Sequence, residues 1–335
     1  HEICIPYQYA NIAVDILLDT LFNSLINKSE FIKEKEVIKK EILRYRYDMD
    51  RFLLYYVWFP LIFQGTKLVE PCIGSEEKID EFKYTDIKKF LEANFVANNM
   101  TFIISGNISQ QKSLDLFEKK IKSITPSIFS SIIPTIAPGK KDQILIFPYE
   151  SDQIGIAIGI PTVPKANGKR HAFDIFENML SRGFGGSISD KLREAGGLVY
   201  SLYSSQENLL DSGFLVFTTM TEKKNAKKVL QIILKEFNRM RIGAFTQEEI
   251  ENAVKNLVGS LQIGLETSNA IAHWYGLQEL LNPREILHPE DKIAKYKSLS
   301  KKELANIAHE YFAKKNIYIG ILGDIKKQEV QNLID

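Results

Sequence analysis

Apolar residues recur at helical spacing along much of the chain, and short β-rich runs break the pattern at wide intervals. From 31 to 43 the string Phe-Ile-Lys-Glu-Lys-Glu-Val-Ile-Lys-Lys-Glu-Ile-Leu holds neither Gly nor Pro. Its apolar positions Val37, Ile38 and Ile42 predict a helix with Glu41 on it. Strands are predicted at Ile144 to Phe147 and at 153–161, and a helix over about 169–181. Between them, 123–141 carries Pro126, Pro134 and Pro138 among small polar residues, which cannot sustain a helix and predict a domain linker. Charges or Pro interrupt the longest apolar runs before about 18 residues, so no bilayer-spanning helix is expected.

The pattern repeats. Phe95, Asn99 and Gly106 lie over Phe312, Asn316 and Gly323, each 217 residues apart, within two β-rich runs that end in Gly and a polar turn. Upstream, Asn11, Phe31, Glu34 and Leu43 lie over Asn225, Phe245, Glu248 and Leu257, each 214 apart. Each copy reads as a helix, a loop, a second long helix, further helices and a β-rich strand. The expectation is an α+β protein of two related domains: 1–122 as the later part of the first repeat, 123–141 as linker, and 142–335 as the second repeat. The strands at 144–147 and 153–161 and the helix at 169–181 have no counterpart in the first copy, because residue 215 already matches residue 1. By that offset roughly 70 residues of the first repeat are expected ahead of His1.

Composition narrows the partners. At 335 residues, two domains of ordinary size are the natural reading. Lys and Arg number 43 against 42 for Asp and Glu, a net charge of +1 that gives no field for nucleic acid or an acidic membrane. Hydrophobic residues at 44% and charged residues at 25% are values of a folded globular chain. Cys4 and Cys72 are far apart in apolar settings, so neither a disulfide framework nor a thiolate metal cluster is read from them. A reducing compartment follows, and cytoplasmic residence is the expectation, with any targeting segment lying ahead of His1.

The helix bearing Glu41, followed by Phe59-Pro60, Gly74-Ser-Glu-Glu-Lys-Ile79, Tyr84-Thr-Asp-Ile-Lys-Lys-Phe90 and Asn98 to Gly106, resembles the first domain of pitrilysin/insulinase-type zinc metallopeptidases, which include the mitochondrial processing peptidases. Gly185-Gly186-Ser187-Ile188-Ser189 and Leu192-Arg193-Glu194-Ala-Gly-Gly-Leu198-Val-Tyr200-Ser201 resemble the second domain, and this last string is the most specific. The resemblance covers nearly the whole chain.

It implies two related domains, each a mainly antiparallel sheet backed by helices, closing as a clam-shell around an extended peptide. It implies a zinc ion held by an inverted His-x-x-Glu-His helix and by a Glu some seventy residues later. Two imidazoles one helical turn apart share a face, and a third oxygen ligand leaves one tetrahedral position for water. The intervening Glu takes a proton from that water. Glu41 is implied as the third ligand and Glu34, two turns earlier on the same face, as a supporting carboxylate. Arg193 and Tyr200 are implied as substrate contacts that stabilise charge near the scissile bond.

The histidine helix is not in this sequence. Asp174-Ile-Phe-Glu177-Asn178 looks like its degenerate second copy, with Asp174 and Asn178 at the histidine positions, and is expected to bind no metal. The offset places the histidines and the general-base Glu about 36 to 40 residues ahead of His1. No catalytic residue is therefore expected within 1–335. The expected function is zinc-dependent endopeptidase activity of the complete protein on peptides or unfolded polypeptides, as a homodimer or a heterodimer with a related subunit. The chain alone is expected to lack both zinc and activity. A noncatalytic partner subunit, or a peptide-binding scaffold, is the alternative.

Each site residue also has a plainer reading. Glu41 alone is a solvated helix residue, and Glu34 sits in Lys33-Glu34-Lys35-Glu36, where intrahelical pairing suffices. Arg193 can pair with a local carboxylate, and Tyr200 can pack. Gly185-Gly186-Ser187 lacks the preceding strand and the Lys of a phosphate loop and reads as a tight connection. His171, His273, His288 and His309 show no metal-ligand spacing, and His273-Trp274-Tyr275 reads as helix packing.

Overall fold

β2 (Gln153–Thr162) reads Gln-Ile-Gly-Ile-Ala-Ile-Gly-Ile-Pro-Thr, and its two faces have different sizes. Successive side chains point to opposite sides of a sheet, so Ile154, Ile156, Ile158 and Ile160 crowd one face while Gly155, Ala157 and Gly159 leave the other nearly bare. A strand of this kind is built to be covered twice. In the computed structural model, which describes residues 1–121, 142–182 and 185–334, β2 is the centre of a five-stranded sheet. The other strands are β1 (Ile144–Phe147), β3 (Val199–Asn208), β4 (Gly213–Glu222) and β5 (Tyr318–Leu322), in the order β1-β5-β2-β4-β3. Only the β1–β5 pair is parallel. The mixed α+β class and the strands expected at the start of the second repeat are present, and the linker expected at 123–141 lies outside the described residues.

The helices that carry the argument are α1 (Ala10–Phe22), α2 (Lys28–Tyr47), α3 (Gln110–Ile121), α4 (Arg170–Ser181), α5 (Ser187–Glu194), α6 (Ala226–Arg241), α7 (Gln247–Gly264), α8 (Ser268–Leu281) and α9 (Lys327–Ile334). By contact the chain divides into two compact units. Unit 1 takes His1–Ile42, the described part of Ser75–Ile132, and Gln262–Ile286. Unit 2 takes Leu43–Gly74, the described part of Ile133–Leu261, and Leu287–Asp335.

In unit 2 the Ile face of the sheet packs on α4 and α6 through Phe173, Phe176, Val229, Leu230, Ile233 and Phe237, all fully buried. The Gly/Ala face receives a helical segment of the first repeat, 49–62, whose central turn Leu53–Trp58 is π-helical. Trp58 fits there because Gly159 has no side chain: a Cβ added to Gly159 would lie 2.8 Å from Trp58 Cη2 and 2.2 Å from the Leu215 carbonyl. The spatial units thus do not follow the sequence copies segment by segment. Residues 54–62, moved by 214 to 217 residues, fall within 268–279, so α8 of unit 1 is the equivalent piece of the second copy.

One expectation fails in unit 1. Residues 101–105, equivalent to β5 by the offset of 217, form no strand. In unit 2, β5 is held on both sides, by β1 and β2. The equivalents of those two strands do not occur in residues 1–335, and a strand without a neighbour has no ladder to join.

Candidate substrate-contact and metal-ligand residues

Glu34 and Glu41 both lie on α2, on one face and about 10 Å apart along the axis at 1.5 Å per residue. Both are exposed. Their neighbours pair within the helix or to Asp80: Lys33 with Glu30 at 2.7 Å, and Lys39 with Glu36 at 3.0 Å and with Asp80 at 2.6 Å. Glu34 and Glu41 make no hydrogen bond or ion pair among the described residues. Intrahelical pairing therefore accounts for Glu30, Lys33, Glu36 and Lys39 and not for these two. Of the apolar positions read from the sequence, only Ile42 is buried, while Val37 is 45% exposed.

A zinc site needs at least three convergent donors. Among the described residues no three His, Cys, Asp or Glu side chains come together. Glu41 offers one carboxylate, so the residues present do not by themselves make a zinc site.

Arg193 and Tyr200 belong to unit 2 and are joined by a Gly-Gly turn. α5 ends because Gly196 and Gly197 take φ of +104° and +65°, which lets both of their N–H groups donate to the Arg193 carbonyl, at 3.2 and 3.1 Å. The chain then enters β3 through a bulge. Val199 pairs with Thr221 and Leu202 with Thr219, so Tyr200 and Ser201 together oppose one residue. The Thr221 and Thr219 hydroxyls clamp the bulge by donating to the Leu198 and Ser201 carbonyls, at 2.7 and 2.6 Å. The result is a Tyr200 side chain that is 102% exposed and does not pack. Arg193, by contrast, meets Asp190 at 3.1 Å, the local pairing its plainer reading describes.

β3 is an edge strand, with β4 on one side and no strand on the other among the described residues. Beside it a shallow cavity of about 390 Å³ is lined by Tyr45, Arg51, Tyr55, Tyr203 and Thr218, with the Arg51 guanidinium 5.0 Å from the Tyr45 ring centre. The sequence reading missed this aromatic cavity, because 45–55 and 203–218 are far apart along the chain. Gly186 supports the tight-connection reading: an added Cβ there would lie 2.5 Å from the Ser181 carbonyl carbon.

Of the degenerate motif on α4, Glu177 and Asn178 are buried and Asp174 is half-buried, and Asp174 and Glu177 are engaged. Asp174 accepts a hydrogen bond from the Tyr296 hydroxyl at 2.7 Å and has Lys292 at 3.6 Å. Glu177 accepts from Ser204 at 2.7 Å, and burial raises its pKa against that bond. Burial, then the Asp174 charge, also raises the Tyr296 hydroxyl. These contacts order a junction between α4, β3 and the helix Pro289–Ser298, using one position that the resemblance gives to a metal ligand, Asp174, and the position it gives to the general base, Glu177.

His171 sits beside this cluster, edge-on to Tyr296 at 5.7 Å, with its Nδ1 buried, 4.0 Å from the Asp174 carboxylate and without a hydrogen-bond partner among the described residues. Burial first, then Arg170, Lys292, Lys295 and Lys165, lower its pKa to about 3. The folded value lies below the unfolded one, so the stability it confers is complete above about pH 6.5 and is lost as pH falls toward 3. Over that window His171→Phe should remove a slope of about 1.4 kcal/mol per pH unit from urea-denaturation stability. Equal slopes for the variant and the parent chain would show that the imidazole is not held neutral.

A sequence profile described as the peptidase M16 inactive domain matches residues 81–257, just over half of the chain. The chain belongs to the peptidase M16 family. Among curated M16 relatives it is 26% identical over 280 residues to an uncharacterized zinc protease of Bacillus subtilis, covering 82% of this chain and 66% of that protein. A Streptomyces coelicolor protein also named an uncharacterized zinc protease is 22% identical over 335 residues, covering 97% and 71%. The β subunit of the Lentinula edodes mitochondrial processing peptidase is 24% identical over 336 residues, covering 94% and 70%. The chain thus spans about two thirds of the length of these relatives. In fold it is similar to a chain of Candida albicans complex III, with TM-score 0.83 at 16% identity, covering 98% of this chain and 81% of that one. A peptidase M16 inactive domain from Pseudomonas fluorescens gives TM-score 0.83 at 14% identity, covering 96% and 76%. No helix among the described residues is long and apolar enough to cross a membrane.

Proposed function

We propose that residues 1–335 are the substrate-holding part of a zinc-dependent endopeptidase acting on extended peptides. Its metal site draws one ligand, Glu41, from this chain and the others from residues outside it. The observation that carries the reading is Tyr200, wholly exposed by a bulge on an edge strand and joined to Arg193, seven residues earlier, by the Gly-Gly turn. An unpaired strand edge offers main-chain hydrogen bonds to any extended peptide, and the aromatic cavity beside it biases which side chains are accepted. An Arg fork and a phenol then supply donors for a peptide carbonyl. The names of the relatives, zinc proteases and a processing-peptidase subunit, support a peptidase-family role.

The rival reading is a noncatalytic subunit that presents Arg193 and Tyr200 to an active mate, in a dimer with a related chain. The description of the matching profile as an inactive domain favours it for 81–257. The test is metal analysis and cleavage of a quenched, unstructured peptide by this chain and by a protein that also carries the histidine helix ahead of His1. The chain alone should hold no stoichiometric zinc and cut nothing, and the longer protein should do both. There, Tyr200→Phe should lower kcat/KM about tenfold or more, the loss of one charge-stabilising donor. A longer protein that is metal-free and inert defeats the enzyme reading and leaves the noncatalytic one standing.

A further inference from the structure

The inward face of β4 carries two hydroxyls where apolar side chains would pack as well. Leu215, Phe217, Thr219 and Thr221 pair in turn with Ile160, Ile158, Ile156 and Ile154 of β2, so they stand on the Ile face of the sheet. Thr219 is 1% exposed and Thr221 3%. Valine has nearly the same shape and is at home in a strand, whereas a buried hydroxyl is costly unless it is hydrogen-bonded. Both hydroxyls are bonded, and both to the backbone of β3 or its approach: Thr221 donates to the Leu198 carbonyl at 2.7 Å and Thr219 to the Ser201 carbonyl at 2.6 Å. The two acceptors lie on either side of Tyr200 in the chain.

The strand register shows what these bonds hold. β4 pairs with β2 without interruption from Gly213 to Glu222, and β3 pairs with β4 without interruption from Leu202 to Asn208. The irregularity is confined to the stretch between Val199 and Leu202. If the regular ladder ran on past Leu202, Ser201 would oppose Met220, Tyr200 would oppose Thr221 and Val199 would oppose Glu222. Directly paired residues share a face, so Tyr200 would then turn inward beside Thr221 and Val199 would leave the Ile face. The bulge has it the other way: Val199 opposes Thr221 and packs on the core, while Tyr200 is wholly exposed. A slip by one residue exchanges the two side chains, and β3, as an edge strand, has no second neighbour among the described residues to oppose it. The two hydroxyls bond the backbone at both ends of the stretch that would have to move.

We propose that Thr219 and Thr221 are positioning residues for Tyr200: they lock the bulge against this slip and so keep the phenol where a peptide can meet it. The part this plays in catalysis rests on the reading of Tyr200 as a substrate contact given above; the register lock does not. Serine keeps the donor and valine keeps the volume, so the two substitutions separate the bond from the packing.

Cys4 and Cys72 are the only cysteines, so Tyr200→Cys and Val199→Cys, each in a Cys4→Ser/Cys72→Ser background, report the register by the rate at which a single thiol reacts with a small aromatic disulfide. With both threonines in place, position 200 should react fast and position 199 slowly. Thr219→Val/Thr221→Val should lower the rate at 200 and raise it at 199, each by about tenfold, as a buried and an exposed thiol change places. Thr219→Ser/Thr221→Ser should leave both rates near their starting values. Thr221→Val alone, which keeps one of the two bonds, should move both rates the same way by a smaller factor and serves if the double variant does not fold. Rates that rise at both positions, as local unfolding gives, or that change at neither, would overturn the proposal and leave the hydroxyls a stabilising role only. In the longer protein that carries the histidine helix, the paired valines should lower kcat/KM for a quenched peptide as far as Tyr200→Phe does. Added to Tyr200→Phe they should cost no more than about a further twofold, because they act through the same phenol. Tyr200→Phe without effect on cleavage would defeat the substrate-contact reading, and the thiol rates would still decide the register lock.

Discussion

Trp58→Ala is expected to lower the unfolding free energy of unit 2 by about 3–5 kcal/mol, the range for deleting a large buried aromatic. Trp58 is completely buried and lies edge-on to Phe214 at 6.0 Å, while Phe59 and Phe63 approach the same ring at 5.8 Å. The surrounding wall is strand backbone and fixed aromatic rings, which cannot collapse into the space an alanine would leave, and this places the loss toward the upper end. The indole N–H has no hydrogen-bond partner among the described residues, so Trp58→Phe should be much milder, since it removes an unsatisfied donor along with some volume. Urea titration followed by far-UV circular dichroism measures both. Fluorescence adds a separation, because Trp274, the only other tryptophan, belongs to unit 1. A loss below about 1 kcal/mol for Trp58→Ala would mean that segment 49–62 does not seal the Gly/Ala face of the sheet.

The second large effect concerns Glu41. In a protein extended ahead of His1 by the histidine helix, Glu41→Gln should reduce zinc affinity by more than the 10- to 100-fold typical of losing an outer-shell partner, with peptide cleavage falling in parallel. An amide carries no charge and is a poor zinc donor, whereas its size and helix propensity match the carboxylate, so the fold should be unchanged. The same substitution at Glu34 should cost no more than the outer-shell range. Isothermal titration with zinc and a quenched-peptide assay read the two variants. Full zinc affinity in Glu41→Gln would remove Glu41 from the site and leave it a solvated helix residue.

The first prediction depends on a segment exchanged between the copies. Trp58 is in the first repeat by sequence yet fills a space defined by Gly159 and Phe214 of the second. An Ile/Gly alternation in β2 announces a strand with one bare face, but nothing local names the residue that covers it. The candidate site divides in the same way. Arg193, the Gly-Gly turn and Tyr200 are contiguous, and the turn chemistry that ends α5 could be read from Gly196 and Gly197 alone. The bulge that turns Tyr200 outward, and the Asp190 carboxylate that meets Arg193, depend on strand pairing and on helix geometry. The cluster around Asp174 escaped notice because its partner Tyr296 is 122 residues away.

Residue order by itself determined the α+β class, the two copies with their offsets of 214 and 217, the positions of β1, β2 and α4, and the family resemblance. All of these are written in periodicity, turn residues and contiguous motifs, which act over a few residues. Only the tertiary structure decided which repeat-equivalent stretches become strands. Residues 101–105 and 318–322 share a pattern, yet only the second finds neighbours on both sides and forms β5. A strand takes its hydrogen bonds from other parts of the chain, so its existence is a property of the assembled sheet.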